Sequence, residues 1–108
     1  ISTAYGRPVV APADGVVTYA ETLAGYGRLV MIEHGQGIST RYGHLANYTV
    51  APGQSVHRGD VIGYVGMTGR STGPHLHYEV RIHDVPVNPY KYLRMTIAQG
   101  MEMQPPGF

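Results

Sequence analysis

Short runs of β-branched and aromatic residues recur along this chain, separated by glycine, proline and Asp-Gly signals at about the eight-to-twelve-residue spacing of a sandwich or barrel. Helical periodicity is almost absent, so the strand runs must supply the core. The pattern predicts strands over 9–11, 16–21, 28–33, 38–45, a short piece around Val56, 61–65 and 75–82, the last ending at His83-Asp84-Val85-Pro86. Turns are predicted at Pro12-Ala13-Asp14-Gly15, where Asp-Gly is a hairpin signal, at Gly25-Tyr26-Gly27, at Pro52-Gly53 and at Arg58-Gly59-Asp60. The expected fold is all-β, an antiparallel sheet sandwich with an open groove.

With 108 residues the chain suits one domain with its own core. Its 15 Gly and 8 Pro follow no repeat, which argues for tight turns rather than a flexible linker. Nine Tyr beside one Phe and no Trp suit half-buried strands and the walls of a polar groove. A formal net charge of +1 supplies no basic stripe, so nucleic acid is excluded as an expected partner. No apolar run approaches the roughly 20 residues of a membrane-spanning helix, and no leader-like segment is expected in these residues. Without cysteine there are no disulfides, and any metal must be held by imidazole or oxygen.

The chemistry concentrates in histidine. In His75-Leu76-His77 an extended strand would aim both imidazoles to one face, and His44 follows another strand run in Tyr42-Gly43-His44-Leu45. Three histidines on neighbouring strands suit a metal-dependent hydrolase. Tyr42, two residues before His44, is expected on the same face as a hydrogen-bond donor to an oxyanion, with a core or wall role as the alternative. Glu79, two after His77, is a candidate to orient that ring, with a surface charge pair as the alternative. His34 is expected to order a turn, and His57 and His83 to be solvated. Arg58-Gly59-Asp60 is expected to be a turn, not an adhesion signal. The stretch from Gly66 to Gly73 lacks the Gly-Lys-Ser/Thr ending of a phosphate loop and is expected to form a groove wall, with Thr40, Asn47 and Tyr48 as further polar groove candidates.

In order along the chain, Gly6-Arg7-Pro8-Val9-Val10-Ala11-Pro12-Ala13-Asp14-Gly15-Val16-Val17, Gly25-Tyr26-Gly27, Ile32-Glu33-His34, Thr40-Arg41-Tyr42-Gly43-His44-Leu45, Gly59-Asp60-Val61-Ile62-Gly63, the run from Gly66 to Glu79 and Asn88-Pro89-Tyr90 resemble the lysostaphin-type zinc metalloendopeptidases, which cut peptide bonds in bacterial peptidoglycan. The likeness covers 1–93 as a peptidase-like domain and leaves 94–108 as a tail, with a helical turn expected near 95–101. It implies Zn²⁺ as cofactor, His77 as a metal ligand, and His44 and His75 as the catalytic pair. It implies peptidoglycan peptide as the substrate and an extracellular or periplasmic location. The family's other two ligands lie in a His-x-x-x-Asp motif before Gly-x-Pro-Val, and no such motif occurs in these residues. The expectation is therefore a peptidase domain lacking its first metal motif and inactive alone, the remaining ligands coming from an upstream segment or a partner. Two arrangements stand beside it: a non-catalytic wall-binding or hydrolase-activating domain of the same fold, and a site made by His44, His75 and His77 together. A lipoyl-carrier-like fold is disfavoured, since the sole lysine, Lys91, is not at a predicted hairpin tip.

Overall fold

A computed structural model of the chain describes residues 5–67 and 76–88. These form eight strands and, among the described residues, no helix: β1 (Pro8–Val10), β2 (Gly15–Leu23), β3 (Gly27–Gly35), β4 (Ile38–Tyr48), β5 (Ser55–Val56), β6 (Val61–Val65), β7 (His77–Ile82) and β8 (Val85–Val87). Every pairing is antiparallel within a single sheet of order β1-β6-β4-β3-β2-β5, with β7 added to β4 and β8 to β7.

The connections force this sheet to curl. In a flat sheet β1 and β2 would stand four strand spacings apart, about 19 Å, while the linker between Val10 and Gly15 reaches roughly 17 Å at full stretch. The linkers β1–β2 and β5–β6 run side by side and close the fold. The Ala11 N–H donates to the Asp60 carbonyl (2.9 Å), the Gly59 N–H to the Ala11 carbonyl (2.8 Å) and the Arg58 N–H to Asp14 Oδ1 (2.8 Å). Arg58-Gly59-Asp60 is thus a closing turn, capped by the His57 N–H donating to Asp60 Oδ2 at 2.8 Å.

Strand alternation sorts the two faces. Val17, Ala20, Val30, Ile32, Tyr42, Leu45, Tyr78 and Val80 point inward into one core with Val9, Ile62, Val65 and Leu76. Burying each large side chain contributes about 1.5–3 kcal/mol. The residues between them, Tyr19, Met31, Arg41 and Glu79, form one cross-strand row on the outer face.

One turn expectation needs correction, and one strand is added. Asp14-Gly15 joins no hairpin, because β1 pairs with β6 while β2 pairs with β3 and β5. Gly15 is needed for close approach: a Cβ there would lie 2.6 Å from the Glu33 carbonyl oxygen and 2.7 Å from Ile32 Cγ2. At the other end, β7 ends at Ile82 as expected, but a further strand follows. His83 and Asp84 (φ 50° and 63°) make a two-residue turn with both φ positive, and β8 returns along β7.

Candidate active site

β4 is the strand that builds the site. One edge pairs with β3 from Ile38 to Leu45, and the other is divided, Ile38 to Gly43 pairing with β7 and Leu45 to Tyr48 with β6. At the division two residues, Gly43 and His44, stand against Leu29, since Val30 pairs with Tyr42 and Arg28 with Leu45. This is a bulge, and His44 sits in it with φ 59°, a left-handed conformation costing a non-glycine residue of order 1 kcal/mol. The His44 N–H is held there by the Tyr26 carbonyl at 2.6 Å. Gly43 beside it leaves room for both neighbours: a Cβ would come within 3.2 Å of His77 Cβ and of the Tyr26 ring.

The bulge brings two of the three expected histidines together. His77 opens β7 opposite Gly43, and its ring stands perpendicular to that of His44, with centroids 6.0 Å apart. His44 is 6% exposed, so its imidazole is largely withdrawn from water. His75 lies outside the described residues.

The bulge also overturns the expected position of Tyr42. An unbroken strand would put it on His44's face, but the extra residue breaks the alternation and leaves Tyr42 fully buried on the inner face, tilted against Tyr78 with ring centroids 5.5 Å apart. Its hydroxyl bonds to Thr40 Oγ1, and His34 joins the same chain through Nε2 to Thr40 at 2.8 Å and Nδ1 to the Asp14 carbonyl at 2.9 Å. A carbonyl only accepts, so Nδ1 donates. In the neutral ring Nε2 then accepts from Thr40, whose oxygen accepts from Tyr42. Thr40 and Tyr42 are therefore structural, and His34 orders a turn as expected. Burial first, and then the neighbouring Tyr78, push the Tyr42 hydroxyl well above its ordinary pKa, against a lowering by the Thr40 bond. Of the other groove candidates, Tyr48 packs against the core and Asn47 accepts from the Tyr48 N–H at 2.9 Å.

On the outer face Glu79 organises the site. Its Oε1 accepts from His77 Nε2 at 2.7 Å and from the Tyr26 hydroxyl at 2.8 Å, while Oε2 accepts from Arg81 Nε at 3.1 Å. Burial alone would raise the Glu79 carboxyl, but the bonds from His77, Tyr26 and Arg81 outweigh it and hold the group below its usual range. An ionised carboxylate only accepts, so His77 Nε2 carries the proton and Nδ1 is the lone-pair nitrogen of the neutral ring. That is the carboxylate–histidine arrangement that raises ligand basicity and fixes ring orientation at metal sites. The donor set fits a metal in kind, and His77 is the side chain so prepared. In number it is short: among the described residues no group of three His, Cys, Asp or Glu could hold an ion.

Tyr26 was not singled out for the site by its sequence. It stands in the β2–β3 turn, yet it accepts from the His44 N–H, packs edge-on to the His77 ring with centroids 5.2 Å apart and donates to Glu79. The available signal is its glycine flanks: Gly25 (φ 86°) and Gly27 (φ 70°) let the turn fold tightly enough to lay an aromatic over the next strands. Among the remaining histidines, the exposed His57 lies 3.9 Å from Asp14 Oδ1. The His83 ring covers Gly37, where a Cβ would be 2.4 Å from its Nδ1.

Comparison with known proteins gives the same fold. The model of Peptidase family M23 matches residues 1–89. The DD-carboxypeptidase/endopeptidase Mpg of Neisseria meningitidis is 57% identical over 84 residues, covering 78% of this chain and 19% of that protein. The peptidoglycan DD-endopeptidase ShyA of Vibrio cholerae is 48% identical over 86 residues, covering 80% of this chain and 20% of that protein. The chain thus spans about a fifth of the length of these curated relatives. Among solved structures, a zinc-containing peptidase from Vibrio cholerae superposes with a TM-score of 0.76 at 44% identity, covering 79% of this chain and 26% of that one. The catalytic domain of lysostaphin from Staphylococcus simulans superposes with a TM-score of 0.79 at 31% identity, covering 85% of this chain and 74% of that one. With the family model matching most of this chain and the lysostaphin catalytic domain matched in both fold and sequence, the chain belongs to Peptidase family M23.

Proposed function

We propose that this chain is the catalytic-fold portion of a zinc endopeptidase that hydrolyses peptide bonds in bacterial peptidoglycan at the cell envelope. The observation that carries the reading is the pairing of His44 and His77 on the outer face, with His77 Nε2 bound to Glu79. In this reading His77 is the zinc ligand from this chain, and the other protein ligands come from a His-x-x-x-Asp segment supplied upstream or by a partner. When bound, zinc would polarise the scissile carbonyl and lower the pKa of a water near it.

The chain's own residues then have separate tasks. Glu79 holds the His77 ring in one tautomer and one orientation. His44, fixed by its bulge and buried from bulk water, is placed to take or return a proton, and His75 is assigned as its partner by family resemblance. No His-Glu-x-x-His helix is present in the sequence to provide a carboxylate base, which leaves that work to imidazole.

Zinc content and peptidoglycan digestion, measured on this chain and on a version extended upstream by its native residues, test the proposal. One zinc per chain together with hydrolysis in the extended form is the expected result. Retention of zinc in neither form, with no release of wall peptides, would replace the enzyme by a binding or activating module.

A further inference from the structure

Arg41 is the unexplained charge on the site's face. Alternation places it outward between the inward Thr40 and Tyr42, directly opposite Glu79 on β7 and Met31 on β3. The residue is partly buried, and its side chain makes no hydrogen bond or ion pair among the described residues. The nearest explanation fails, because Glu79 is already occupied: His77 and Tyr26 take Oε1, and Arg81 takes Oε2. Arg81 is neutralised in turn by Glu79 and by Asp84 at 3.4 Å. Glu33, diagonal to Arg41 through the Glu33–Ser39 pair, is exposed and forms no ion pair with it. A guanidinium on this face with no counter-charge among the described residues is available to an anion.

Its position defines which anion. Arg41 lies one row, two residues along β4, from the Gly43–His77 pair, or about 6.8 Å along the strand. A peptide lying across the two histidines would advance by about the same distance in two of its own residues. Guanidinium presents paired donors that match a carboxylate.

We infer that Arg41 is a specificity-determining residue that binds a free carboxylate of the substrate about two residues from the bond cut. The inference rests on the endopeptidase reading above and deepens it: the preferred substrate is an anionic stem peptide, not an uncharged glycine bridge. The alternative structural role is the aliphatic stem of Arg41 covering Met31, which would be indifferent to substrate charge.

The test compares a cross-linked stem-peptide dimer bearing free carboxylates with the same dimer fully amidated. Binding is followed on the 108-residue chain by the NMR signal of the Arg41 Nε–H, and turnover is followed on the full-length natural protein loaded with zinc. The acid peptide is expected to shift the Arg41 signal and to bind about tenfold more tightly than the amide. Arg41→Gln should remove that preference while leaving the amide unaffected, and Arg41→Lys should restore part of it. Equal affinity for acid and amide, or an Arg41→Gln loss shared equally by both, overturns the inference. If the binding preference holds but neither dimer is cut, the endopeptidase reading falls while the carboxylate site stands. If both are cut at equal rates, the hydrolase stands and Arg41 loses its role.

Discussion

Two histidines with similar surroundings sit on opposite faces of this sheet and do different work. His34, on the inner face, is bound through Nδ1 to the Asp14 carbonyl and through Nε2 to Thr40, so both nitrogens serve neutral groups within a chain ending at buried Tyr42. His77, on the outer face, gives Nε2 to an ionised carboxylate that is held by Tyr26 and Arg81 as well. The neutral chain ties β3 and β4 to the linker before β2. The charged cluster sets the orientation of one imidazole and places a carboxylate behind it. What a histidine can do is set by what its second nitrogen meets, and that is decided by the face it occupies.

Substitutions on the two faces should separate cleanly if this contrast is right. The largest effect is expected at the outer pair: in the full-length protein His77→Ala should lose zinc retention and all turnover, while His44→Ala should keep zinc and lose about a hundredfold or more in rate. Equal metal loss from both, measured by elemental analysis, would break the division of labour between them. Next, Glu79→Gln keeps the shape but removes the charge behind His77. A drop of about 10–100-fold in zinc affinity is expected, with little change in melting temperature.

The inner face should answer in the opposite way. Thr40→Val removes both the donor to His34 and the acceptor for the buried Tyr42 hydroxyl, and should lower stability by about 1–3 kcal/mol in denaturant unfolding while turnover per folded molecule is unchanged. A loss of kcat without a loss of stability would mean that the neutral chain reaches the chemistry after all. The smallest effect concerns alkaline pH. The fold raises the Tyr42 pKa above its unfolded value, so the folded state holds that proton more tightly. Its contribution is complete below the unfolded value of about 10 and declines as pH rises beyond it. Unfolding free energy should therefore fall more steeply above that pH in the wild type than in Tyr42→Phe.

Much of the architecture was legible from local pattern. The predicted strand over 61–65 is β6 as found, and the other runs differ from the observed strands by a few residues at their ends, because alternation and turn residues act within a few positions of one another. β8 escaped notice because it is three residues long and contains Pro86, which a strand accepts only at an edge. Asp14-Gly15 misled for a different reason. Asp-Gly marks a tight turn wherever a glycine must sit beside an acceptor, and here the glycine answers to crowding from β3 rather than to a hairpin. Both expectations for Glu79 are met, a bond to His77 and a charge pair with Arg81, because residues two apart along one strand are neighbours on one face.

The placement of Tyr42 and the role of Tyr26 lay beyond the sequence. Period-two alternation holds only until a bulge intervenes, and nothing local announces that Gly43-His44 will occupy the place of one residue against Leu29. Tyr26 is distant in sequence from Glu79, and only the pairing of β3 with β4 and of β4 with β7 carries the β2–β3 turn over the site.

By itself the sequence determined the all-β class, the family and the histidines to watch, since composition, turn chemistry and ordered motifs are properties of short stretches. The tertiary structure alone decided which face each side chain serves. Facing depends on register, register depends on pairing between distant strands, and one left-handed residue at His44 is enough to send Tyr42 into the core while the two imidazoles meet outside.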